Sequence, residues 1–76
     1  MNVIQEFRVQ VGLSQAEFAR LTHVPVRTIR AWEQDYRKPI DYVPYLIGEL
    51  LVHKHLMKKS EMERILDGNK VDNGNI

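Results

Sequence analysis

Two helix-starting signals stand close together in the stretch LSQAEFARLTHVPVRTIRAWEQDYRKP, residues 13–39, and they leave the backbone there little freedom. Ser14 is followed three residues later by Glu17, the reciprocal pattern in which each side chain satisfies a free backbone N–H of a helix's first turn. Val24-Pro25 comes next. The residue before a proline is pushed out of helical space, whereas proline itself suits the opening turn of a new helix. The spacing therefore predicts a helix from Gln15 to about Thr22 and His23, a tight turn, and a second helix over residues 25–34. Histidine tolerates a positive φ, so His23 is able to occupy the turn.

Laid out at about 100° per residue, the second helix carries Ile29 and Trp32 on one side and Val26, Arg27, Arg30 and Ala31 on the other. The first side suits a core. The second is basic and shallow, and it fits the DNA major groove, where arginine forks onto the two guanine acceptors and a small apolar group meets a thymine methyl.

The formal net charge is only +1, so the distribution matters more than the total. Between Arg20 and Lys38 the basic residues Arg20, Arg27, Arg30, Arg37 and Lys38 outnumber the acidic Glu33 and Asp35, whereas from Asp41 onward acidic residues are in slight excess. Positive charge gathers on the half that carries the arginine face. With 76 residues there is room for one small core. The absence of cysteine excludes disulfides and thiolate metal sites and points to a cytoplasmic protein, and no apolar run approaches the roughly 18 residues of a membrane span.

Catalytic and metal-binding patterns are lacking. His53 and His55 diverge by about 200° on a helix and cannot easily share a metal, and His23 stands apart from both. Ser14 and Ser60 read as helix caps, and Thr22 and Thr28 have no base beside them. No enzyme and no cofactor is expected.

The residues Ser14-Gln15-Ala16-Glu17-Phe18-Ala19, Val24, Ile29-Arg30-Ala31-Trp32-Glu33 and Arg37-Lys38-Pro39 resemble the Cro-like phage-repressor helix-turn-helix family, also called the xenobiotic-response-element type. His23 stands where glycine is usual in that family, and Pro25 where serine is often found. The resemblance implies an all-α, five-helix domain of the lambda-repressor-like DNA-binding type, with the second and third helices forming the helix-turn-helix. It also implies a structural ion pair between Arg8 and Glu33. The polar segment after the third helix lies along the DNA backbone in this family, which makes Tyr36, Arg37 and Lys38 candidate phosphate contacts. Ser14, Gln15 and Thr28 join them, the first two because a helix N-terminus offers free N–H groups to an anion.

The flanks read as support. Asn2 caps a first helix whose Ile4, Phe7 and Val11 share a stripe, with Gly12 at its end. Asp41 is expected to cap a fourth helix over residues 42–58, about 25 Å long, with Val43, Leu46, Ile47, Leu50 and Met57 as its core stripe, Leu51 at the edge and Pro44 in its first turn. Tyr45, Val52 and Leu56 fall on the opposite side and, with Leu21, form a candidate partner or dimer surface. Ser60 and Glu63 repeat the capping pattern and predict a fifth helix over 61–67, stopped by Gly68. Residues 1–68 thus form one DNA-binding domain, and 69–76 read as a disordered tail.

The function these readings imply is a sequence-specific transcriptional repressor, bacterial or phage-encoded, that binds double-stranded DNA at a palindromic operator as a homodimer. The alternative is an antitoxin-type interaction module that holds a toxin partner, with or without operator binding.

Overall fold

In a computed structural model, which describes residues 1–69, the chain forms α1 (Val3–Gln10), α2 (Gln15–Thr22), α3 (Val26–Glu33), α4 (Val43–His53) and α5 (Lys59–Gly68). The first four of these end in the same way. Gly12, His23, Asp35 and His55 each take a left-handed φ between 61° and 72°. The next N–H then reaches the carbonyl five residues back: Leu13 to Arg8, Val24 to Ala19, Tyr36 to Ala31 and Leu56 to Leu51, at 2.9–3.2 Å. This closure satisfies a carbonyl left over at the helix end and turns the chain sharply. Only one of the four positions is a glycine.

The helix starts follow the side chains available. Ser14 Oγ accepts the Glu17 N–H at 3.1 Å and Glu17 Oε1 accepts the Ser14 N–H at 2.8 Å, which holds the Glu17 carboxyl below its usual range. Asn2 caps α1 by accepting the Gln5 N–H at 3.0 Å. Its Nδ2 also donates to the Trp32 and Glu33 carbonyls at 2.6 and 3.1 Å, so one amide ties the start of α1 to the end of α3. Pro25 is the N-cap of α3 and not its first residue, with the expected turn at His23 in front of it.

The C-terminal half departs from the sequence expectation in several places. α4 stops at His53, well short of residue 58, because His55 adopts the left-handed conformation and closes the helix. Its N-cap is Tyr42, with no side-chain cap, so Asp41 does not cap it. α5 starts earlier than expected: Glu61, not Glu63, reaches back to the Lys58 N–H at 2.9 Å, and Ser60 lies inside the helix. Asn69, placed by sequence in the tail, is anchored by hydrogen bonds from its Nδ2 to Glu6 Oε1 and the Ile65 carbonyl, at 2.9 and 2.8 Å. The rest of the expected tail lies outside the described residues.

The core is built from Ile4 and Phe7 of α1, Phe18 and Ala19 of α2, Ile29 of α3, Ile47 and Leu51 of α4, Met57, and Met62 and Ile65 of α5. α1 lies against α3, α4 and α5, while α2 packs on α3. Ala19 is the small residue in that set. Gly48 leaves room for close approach of α4 to α5 and α1: a Cβ there meets Met62 Cγ at 2.7 Å and Phe7 Cζ at 3.1 Å. Leu46, expected in the core stripe, is instead 59% exposed, because the buried side of α4 centres on Ile47, Gly48 and Leu51.

Candidate nucleic-acid interface

α3 is the element with two different faces. Ile29 is fully buried, and Trp32 and Glu33 beside it are half-buried. Arg27 and Arg30 are exposed on the outer side, with Ala31 and Thr28 half-buried at its edge. Val26 is half-buried and packs against the core, so it forms the rim of the outer face.

What fixes the rotation of α3 is an ion pair at its inner edge. Arg8 Nε donates to Glu33 Oε2 at 2.7 Å and its second terminal nitrogen to Glu33 Oε1 at 3.0 Å, a two-pronged contact; the remaining one donates to the Leu13 carbonyl at 3.0 Å. The Glu33 side chain is only 4% exposed and that of Arg8 17%. Burial pushes the Glu33 carboxyl up, but the hydrogen bonds from Arg8 and Gln15 and the Arg8 charge together hold it below its usual range. The same hydrogen bond holds Arg8 more firmly in its charged form.

Gln15, the first residue of α2, joins this pair to the outer face. Its Nε2 donates to Glu33 Oε1 at 3.0 Å, and its Oε1 accepts from Arg30 Nε at 3.3 Å. Ser14 is exposed at the same helix start. After α3 the chain passes through Asp35 into an exposed run of Tyr36, Arg37 and Lys38, with Tyr36 79% exposed. Arg27, Arg37 and Lys38 form no ion pair or hydrogen bond among the described residues.

Residues 4–39, spanning α1 to the end of this basic run, match a family model described as helix-turn-helix. This segment is a Cro/C1-type helix-turn-helix. Together with α4 and α5 it makes a five-helix, all-α fold of the lambda-repressor-like type among the described residues, and the match supports a DNA-binding transcription regulator. Comparison with curated proteins and with solved structures finds no match.

Around the helix-turn-helix, the four residues singled out as a partner surface separate into two kinds. Leu21 and Val52 are half-buried against the core, whereas Tyr45 and Leu56 are 49% and 44% exposed. Ile40 and Tyr42 are exposed apolar residues that the sequence did not single out, and Leu46 is one that it placed in the core. The available signal was the spacing of Tyr42, Leu46, Glu49 and His53, which share one side of α4. No helix of the described residues is long and apolar enough to cross a membrane, and no group of three metal-ligating side chains occurs among them.

Proposed function

We propose that this chain is a repressor that binds a palindromic operator as a homodimer, with α3 in the major groove. The observation that carries this reading is the pair of exposed arginines on α3, one of them without any partner, beside a loop whose Arg37 and Lys38 are also unpaired. Exposed guanidinium groups on a helix whose rotation is fixed from behind are suited to reading base edges. Arg27 and Arg30 read bases, with Val26 and Ala31 beside them for apolar contact to thymine methyls. Ser14, Gln15, Thr28, Tyr36, Arg37 and Lys38 contact phosphates and set the register. One short helix reads few base pairs, so two copies are needed, placing half-sites about 10 bp apart. The exposed Tyr42 at the N-cap of α4 and the exposed Tyr45 and Leu46 on it support a protein contact there, which we assign to the second copy; a toxin on the same apolar side is the antitoxin alternative.

Selection of binding sites from a random-sequence duplex pool, combined with sedimentation equilibrium, tests this. A two-fold-symmetric consensus bound by a dimer is expected. Arg27→Ala is expected to lose about 1–3 kcal/mol on that consensus and to relax one position. Removing Arg37 or Lys38 is expected to weaken binding to all sequences and to reduce the salt slope by about 0.9 each. A monomer that selects no consensus refutes the operator reading, and capture of a toxin by such a monomer favours the alternative.

A further inference from the structure

The links between Glu33, Gln15 and Arg30 constrain the residue in the middle. Arg30 offers only donors and the Glu33 carboxylate only acceptors, so a side chain that bridges them must supply one of each. A carboxamide does so, while a carboxylate, an ammonium or a guanidinium does not. The partners also fix which way the amide faces, because the reverse orientation sets oxygen against oxygen and N–H against N–H. Glu33 is itself held by Arg8 in its nearly buried position. Donors and acceptors therefore alternate from the ion pair behind α3 to the exposed arginine in front of it.

We propose that Gln15 is a positioning residue that aims the Arg30 guanidinium at guanine. This rests on the reading of Arg30 as a base-reading residue. The bond to Gln15 uses Arg30 Nε and leaves both terminal nitrogens free. Those two form the end-on fork that meets guanine O6 and N7. An arginine tethered in advance loses less side-chain freedom on docking than a free one. Arg27 has no such tether, so the effect of Gln15 is confined to the base pair that Arg30 reads.

The test uses wild type, Gln15→Leu, Gln15→Glu, Arg30→Ala and the double variant Gln15→Leu/Arg30→Ala. Affinities are measured on the selected consensus and on duplexes changed one base pair at a time, with thermal melts of each protein. Gln15→Leu is expected to weaken the preference for guanine about fivefold to tenfold at the single position that Arg30→Ala also loses, and to add nothing in the Arg30→Ala background. Gln15→Glu keeps the size and suits a helix's first turn, which works against its repulsion from Glu33; its melt, like that of Gln15→Leu, shows that it is folded at the temperature of the binding assay. It cannot donate to Glu33 and draws Arg30 into an ion pair. The same position-specific loss is expected, on top of the uniform loss its charge brings. Equal weakening on every duplex with guanine preference intact makes Gln15 a phosphate contact alone and overturns the proposal. A lowered melting temperature with unchanged preference overturns it too. If the wild type selects no consensus, the operator reading itself fails; if it does and both Gln15 variants keep full preference, only the positioning role fails.

Discussion

Replacing Arg8 by methionine tests whether the ion pair behind α3 governs stability, and the structure sets both the size and the pH dependence of the effect. The substitution keeps an unbranched stem but removes the hydrogen bonds to both Glu33 oxygens and to the Leu13 carbonyl. A carboxylate whose side chain is 4% exposed then keeps one partner, Gln15. Breaking a buried pair from one side costs about 3–5 kcal/mol, and the surviving Gln15 bond puts this case near the lower end, about 3 kcal/mol. A chain of this length has a total stability of about 4–11 kcal/mol, so the loss is large. In the wild type the folded-state pKa of Glu33 is depressed. Its contribution is therefore present above the unfolded carboxylate pKa and lost as pH falls through the folded value. In Arg8→Met, burial is the main influence left, and the folded pKa rises. The variant is then penalised as pH climbs through the carboxylate range. The stability gap should be widest at pH 7 and shrink toward pH 3. Urea unfolding followed by the fluorescence of Trp32, the single tryptophan, measures this directly. A gap below about 1 kcal/mol at pH 7, or one that does not change with pH, refutes the reasoning.

Gly48→Ala introduces a Cβ at 2.7 Å from Met62 Cγ; overpacking of about 2–3 kcal/mol set against about 1 kcal/mol of better helix propensity leaves a net loss of about 1–2 kcal/mol by urea unfolding. His23→Gly and His55→Gly each relieve a left-handed residue, about 1–2 kcal/mol for an L side chain against about 0.5–1 kcal/mol of glycine entropy, so thermal melts should show a net gain of about 0.5–1 kcal/mol apiece. Asn2→Asp keeps the acceptor that caps α1 but turns an oxygen toward the Trp32 and Glu33 carbonyls and toward Asp35, whose Oδ1 now lies 3.3 Å from Asn2 Nδ2. A loss of about 1–3 kcal/mol is expected at pH 7 and less at acid pH; a neutral effect would mean that Asn2 acts only as a cap.

The helix-turn-helix was legible because its signals are local. Ser14 and Glu17 declare the start of α2 within one turn, and Val24-Pro25 declares its end, so the left-handed His23 followed without any tertiary information. α4 had no such punctuation. His55 closes it by the same backbone geometry as His23, but no proline follows, and apolar Leu56 and Met57 continue a plausible helical stripe. The start of α5 was missed for a related reason. Ser60–Glu63 and Lys58–Glu61 both offer a glutamate three residues on, and the choice fell to Lys58, at an extended φ of −82° and ψ of 150°, because the chain leaves the α4 turn there. Pairing of Leu46 with the core failed because Gly48, not a large side chain, marks the line of closest approach to α5.

Two carboxamides connect these local pieces into one unit. Asn2 faces donors of α1 with its oxygen and acceptors of α3 with its nitrogen; Gln15 faces Arg30 with its oxygen and Glu33 with its nitrogen. In both places a free helix-start position meets α3, and in both the neighbours demand one donor and one acceptor from the same short side chain. Residue type at such a position is dictated by hydrogen-bond polarity and not by helix propensity, which is why propensity and periodicity give no warning of it. The consequence for DNA reading is that α3 is held at both its C-terminal end and its outer arginine by groups outside itself. On the positioning role proposed for Gln15, stability and sequence preference become separable: changes at Asn2 or Arg8 act on whether α3 is in place, while changes at Gln15 act on where Arg30 points once it is.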